Sequence, residues 1–176
     1  MTKPEKLTDA GTLRYDFKRD FISKKYPIAS RRSFIETVAI PGLQNLIDNK
    51  NLSPAARVNA VVLMGQLDEA ELNRSANAPP RPSLNAFQAL GKIWQGDYPS
   101  YLKLVAFSGL NRHIEIDQIL ASPRIPSDQK SQLMATVLAQ MEQIITEDPQ
   151  LEVDIDRWQV GKSIEMLSKS GLTSDA

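Results

Sequence analysis

Residues 52–67, LSPAARVNAVVLMGQL, decide how the chain is read. Ser53 followed by Pro54 marks a helix start: a serine N-cap accepts a backbone N–H, and a proline at the first helical position loses no hydrogen bond. From Ala60 to Met64 five consecutive residues are apolar, so the helix has no polar side over that turn. A helix that is apolar all round has to be covered on several sides. The flanking sequence supplies the covers: a helix over 31–49 from the N-terminal side, and helices over 84–95 and 101–112 from the C-terminal side. Ala60 and Gly65 are small enough to let those neighbours come close.

Working outward, the chain reads as all-α, with six to eight helices and no convincing sheet. Residues 12–25 place Leu13, Phe17, Phe21 and Ile22 on one stripe, which predicts an amphipathic helix ended by Pro27. Ser30 opens the next helix, and Pro41-Gly42 is expected to kink or divide it. Residues 71–82 carry Pro79, Pro80 and Pro82 without apolar periodicity and read as a loop. Ser83 caps a helix with Trp94 in its core stripe, and a further helix ends at Arg112-His113. The longest pattern, DQKSQLMATVLAQMEQIITED, has Leu133, Val137, Met141 and Ile144 on one stripe. Asp154 or Asp156 is expected to cap a last helix, with Trp158 in the core and Gly171 just past its end. Residues 1–11 and 172–176 are expected to be disordered, and 12–171 to form one domain.

Composition narrows the function classes. A chain of 176 residues can bury a substantial core. Lysine plus arginine and aspartate plus glutamate number 21 each, which argues against a generally basic nucleic-acid binder. No apolar run reaches the length of a membrane span, and MTKPEKLTDAG lacks the apolar core of a signal peptide. Solubility is expected, and the compartment is left open. Met1 followed by polar residues equally suits a segment cut from a longer protein. With no cysteine, thiol nucleophiles and zinc–thiolate sites are excluded, and a single histidine removes most metal and acid–base constellations.

Three helices share a grammar: an early basic residue, a small residue, then leucine and glycine. It is carried by Arg57, Ala60, Leu63 and Gly65; by Lys103, Ala106, Gly109 and Leu110; and by Arg157, Gly161, Leu167 and Gly171. NAFQALGKI, with Gly91, is a looser relative. Over residues 30–171 this resembles the helical hairpins of HEAT-like and armadillo-like repeat proteins. The resemblance implies a stack of units of roughly 40–47 residues, whose inner helices are covered by their neighbours.

Five kinds of short motif suggest chemistry. HIEID, residues 113–117, would set His113, Glu115 and Asp117 on one face if extended, a set able to bind a metal. The structural reading buries Ile114 and Ile116 and leaves the polar residues in water. LEVDID, residues 151–156, offers Glu152, Asp154 and Asp156, but a calcium loop of EF-hand type would not carry Trp158 and Gln159 where they stand. GKS at 161–163 lacks the glycine a phosphate-binding loop needs, since Asp156 holds that place. Ser100 and Ser127 begin Ser-x-x-Lys spacings without companion motifs and read as helix starts. Asn73-Arg74-Ser75 spells a glycosylation sequon with no secretory context.

The first 32 residues hold nine basic and four acidic side chains, with Tyr15, Phe17, Phe21 and Tyr26 interleaved. Lys24-Lys25 and Arg31-Arg32 are the pairs that would meet phosphates. Tyr98 and Tyr101, flanking a turn, are expected to be exposed. The sequence therefore predicts a non-catalytic helical scaffold or protein-interaction module without cofactor or metal, with a protein partner. Arg57, Arg112 and His113 are the candidate surface residues, and loop 71–82 an adjustable edge. The second reading is a nucleic-acid binder working through the N-terminal helices, and the third a metal enzyme using His113, Glu115 and Asp117.

Overall fold

A computed structural model of the chain describes residues 9–22, 26–73, 75 and 77–170. The expectations for Lys24, Lys25, Arg74, Gly171 and the outermost chain ends fall outside those residues. The described residues form seven helices and one short hairpin. Helix α1 is α-helical over Ala10–Phe17 and widens into a π-helical turn over Lys18–Ile22. Helix α2 covers Ile28–Phe34, a π-helical turn at Ile35–Ala39, and Ile40–Asp48. Then follow α3 (Pro54–Met64), α4 (Leu84–Gln95), α5 (Ser100–Gln118), α6 (Ser127–Glu147) and α7 (Asp154–Lys169). The all-α reading holds. No helix among the described residues is long and apolar enough to cross a membrane.

Local sequence accounts for the starts of the central helices. Ser53 Oγ accepts from Ala56 N at 3.3 Å ahead of Pro54, and Ser83 Oγ accepts from Ala86 N at 3.4 Å. Of the two expected effects of Pro41-Gly42, division of the helix does not occur. Proline lacks an N–H and crowds the carbonyl four residues back, and the π-helical turn lies over that position, so the helix widens upstream and continues. Residues 71–82 are not simply a loop. Strand β1 (Asp68–Ala70) pairs antiparallel with β2 (Arg81–Pro82), Asp68 opposite Pro82 and Ala70 opposite Arg81, and Asn73 bridges to Ala78 beyond them. Asp154 and Asp156 lie in the first turn of α7, whose N-cap is Val153.

The chain divides into two compact units, Met1–Leu110 and Asn111–Ala176, with the boundary inside α5. In the first unit, Ile35, Ala39, Leu43 and Ile47 recur every four residues along α2 and are all buried. Helix α3 packs against the second half of α2 and against α4, and the Trp94 and Phe107 rings stack at 5.2 Å. A Cβ on Gly65 would meet the Gly109 Cα at 3.0 Å, so α3 and α5 touch backbone to backbone at these glycines. Helix α3 is thus covered by α2, α4 and α5. A second contact joins Arg57 to Tyr101. Both contacts step eight residues along each helix, so α3 and α5 run side by side in the same direction over about 12 Å.

The stripe of α1 is less buried than expected: Ile22 is fully covered, but Leu13 and Phe21 are more than half exposed. Phe21 instead stacks on Phe34 at 5.5 Å. In the second unit, α6 and α7 pack on each other, and Leu133, Met134 and Val137 of α6 and Val160 and Met166 of α7 are buried. Trp94 is core, but Trp158 is 38% exposed, because Val160, Ser163 and Met166 define the inward face of α7. Leu151, between α6 and α7, holds φ 49, and its carbonyl accepts from Arg157 Nε at 3.2 Å and Nη2 at 2.8 Å.

Asp117 ties the second unit together at the start of α6. It is fully buried; its Oδ1 accepts from Arg124 N at 2.5 Å and Ile125 N at 3.1 Å, and its Oδ2 lies 2.6 Å from Lys130 Nζ. Removing one partner of a buried pair leaves the other charge uncompensated. Asp117→Ala is therefore expected to cost about 3 kcal/mol or more in urea denaturation. Asp117→Asn, which keeps an acceptor for the two N–H groups, should cost less.

Candidate binding cleft

The first unit carries an open cleft of about 820 Å³ lined by Asp48, Lys50, Arg57, Asp97, Tyr98 and Pro99. Three chain segments build it: the end of α2, the first turn of α3, and the α4–α5 connection. Gly96 sets the last of these, because a Cβ there would lie 2.6 Å from the Lys92 carbonyl and 3.2 Å from the Tyr98 ring. The Tyr98 hydroxyl donates to Asp48 Oδ1 at 2.8 Å and accepts from Gln44 Nε2 at 3.0 Å. Gln44 Nε2 also lies 3.0 and 3.1 Å from the two Asp48 oxygens. Partial burial, then its bond to the Asp48 carboxylate, raises the Tyr98 pKa above the usual phenol value.

Arg57 is the buried cation of this cleft, with 7% of its surface exposed. Its Nε donates to the Ile47 carbonyl at 2.7 Å, satisfying one of the carbonyls left over in the last turn of α2. Its Nη1 donates to the Tyr101 hydroxyl at 3.2 Å. Tyr98 and Tyr101, expected to be exposed, are thus half-buried and hydrogen-bonded.

The three candidate surface residues are placed differently from expectation. Arg57 lies under the cleft, not on an outer face, and Arg112 is half-buried. His113 has no exposed surface. It does not end a helix, because α5 continues to Gln118 and puts His113 on the same side as buried Asp117. Arg57 belongs to the first unit, Arg112 and His113 to the second.

The remaining motifs are resolved by helical geometry. HIEID is helical, so Glu115 points away from His113 and Asp117 and pairs with Lys169 at 3.1 Å. Glu115 is exposed, but His113 and Asp117 are buried, which departs from the expectation that all three face water. Among the described residues no group of three histidine or acidic side chains could hold a metal ion. Asp154 pairs with Arg157 at 3.1 Å, and Asp148 Oδ2 accepts from Val153 N at 3.0 Å. In GKS, Lys162 pairs with Glu165 at 2.6 Å and Ser163 donates to the Gln159 carbonyl at 2.8 Å. Ser100 and Ser127 open α5 and α6.

Four arginines of the N-terminal helices are buried or paired within the chain itself. Arg19 lies 2.8 Å from both Asp16 and Asp20, and its hydrogen bond to Asp20 is the main reason its pKa is raised. Arg14 donates to Asn59, Arg31 is buried, and Arg32 pairs with Glu69 at 2.7 Å beside the hairpin. The comparisons with family models, with curated proteins and with solved structures find no match to this chain.

One surface network has a defined pH signature. Hydrogen bonds from Lys162 and then Lys169 lower the Glu165 pKa from 4.5 to about 2. A carboxylate depressed in the folded state stabilises the fold above its unfolded pKa, and loses that contribution as pH falls through its folded one. The stability gap between the wild type and Glu165→Gln should therefore be full at pH 7. It should narrow from about pH 4.5 downward and close near pH 2. Because the network is open to solvent, 1 M NaCl should also shrink the gap. Denaturation across pH checks both.

Proposed function

We propose that this chain is a non-catalytic helical scaffold whose work is to bind another protein, through a HEAT-like stacking of its helices. The observation that carries the reading is apolar exposure on the outward faces of the second unit. Leu138 and Ile145 stand seven residues apart on one side of α6, and Ile155 and Trp158 three apart on α7, all at least 38% exposed. Exposed apolar residues at helical spacing suit a partner surface, and tryptophan is the side chain most often decisive in such contacts.

The stacking is supported by the α3–α5 pairing. Arg57 with Tyr101, and Gly65 with Gly109, are each 44 residues apart. That offset lies within the roughly 40–47-residue length of HEAT-like units.

The test is affinity capture of a stoichiometric protein by the tagged chain at high salt, repeated with an Ile145→Gln/Trp158→Gln variant of unchanged circular dichroism. Retention of the partner is expected to drop about tenfold or more in the variant. Capture indifferent to both substitutions would contradict the reading. So would recovery of nucleic acid alone, lost as salt is raised.

A further inference from the structure

Arg57 is more than nine-tenths buried, yet its guanidinium is only partly used. Nε is committed to the Ile47 carbonyl and Nη1 to Tyr101, while Nη2 has no partner among the described residues. Nη2 is not among the buried polar atoms without a partner, so this remaining donor is open to solvent. The same side chain lines the open cleft, so the leftover donors face space that a ligand can enter.

The other lining groups narrow the chemistry. Asp48, an exposed carboxylate, accepts from Gln44 on both oxygens and from Tyr98 on Oδ1, which holds it within the wall of the cleft. Lys50 and Asp97 are exposed residues on the same cleft, the lysine adding a second, mobile cation. A guanidinium held at Nε and Nη1 presents Nη2 in a fixed direction, and planar N–H donors match the oxygens of a carboxylate or phosphate. Arg57 is itself fixed by the end of α2 and by α5, so its donors are preorganised and little is lost on ligand binding.

We infer that the cleft beside Arg57 is a binding site for an oxyanion, the carboxylate or phosphate group of a small ligand, gripped by Arg57 with Lys50 assisting. This site is separate from the apolar faces of α6 and α7, and it stands whether or not those faces bind a protein.

The experiment is a titration of the ¹⁵N-labelled chain with inorganic phosphate, with acetate, and with sodium chloride at matched ionic strength. Saturable amide shifts are expected around Ile47–Lys50, Arg57 and Gly96–Tyr101 with at least one oxyanion and not with chloride. Saturation by phosphate alone assigns a phosphorylated ligand, and by acetate alone a carboxylate; either supports the site. Arg57→Lys keeps the charge but loses the planar fork, and should weaken binding about tenfold or more. Lys50→Ala changes only an exposed side chain, so it tests the site even if the Arg57 variant fails to fold. It should weaken binding severalfold with an unchanged melting temperature. Shifts no larger than those from chloride would overturn the inference, as would saturable binding that Lys50→Ala leaves unaltered.

Discussion

The first unit depends on two glycines that let two helices touch. With a Cβ on Gly65 only 3.0 Å from the Gly109 Cα, α3 and α5 approach more closely than any pair with side chains at those positions could. That approach closes the last open side of an apolar helix already packed against α2 and α4. It also fixes the direction of α5 relative to α3. Eight residues back along both helices, Tyr101 therefore meets Arg57. The cleft follows from the same constraint, since its buried cation stands on α3, Tyr98 on the segment leading into α5, and Tyr101, which accepts from that cation, in the first turn of α5.

The second unit is organised by charge more than by close approach. Asp117 collects two backbone N–H groups on Oδ1 and sets Oδ2 against the Lys130 ammonium at the α5–α6 connection, in a fully buried position. On the outside, Glu165 bridges Lys162 and Lys169, and Lys169 reaches Glu115. The fully covered ion pair specifies a turn. The exposed network is screened by solvent and contributes to stability in a way that depends on pH and salt.

Much of this architecture was readable from local sequence. Ser53-Pro54 and Ser83 announce helix starts through contacts only three residues long, and the unbroken apolar run at 60–64 demands covers on several sides. What escaped the sequence depends on partners distant along the chain. Tyr98 looked like an exposed turn residue because its acceptor, Asp48, is 50 residues away. HIEID alternates with the period of a strand, yet it sits inside a helix whose face is decided by the Lys130 partner of Asp117. The hairpin strands, of three and two residues, are too short for any periodicity to declare them. Arg57, part of the repeated grammar, was expected on an outer surface. Its bond to the Ile47 carbonyl turns it inward.

The most direct measurement compares the denaturant stability of Gly109→Ala with that of Gly91→Ala. Both substitutions fall inside helices and gain the same intrinsic preference of alanine over glycine, about 1 kcal/mol. Only one meets an obstacle: nothing lies within 4 Å of a Cβ at Gly91, whereas at Gly109 it would press on Leu90 at 3.0 Å and the Gly65 Cα at 3.2 Å. If the glycine contact governs the first unit, Gly91→Ala is neutral or stabilising and Gly109→Ala falls below it by about 2 kcal/mol or more. Equal stabilisation by both alanines would mean that α3 and α5 do not depend on that contact, and the account of the first unit would fail.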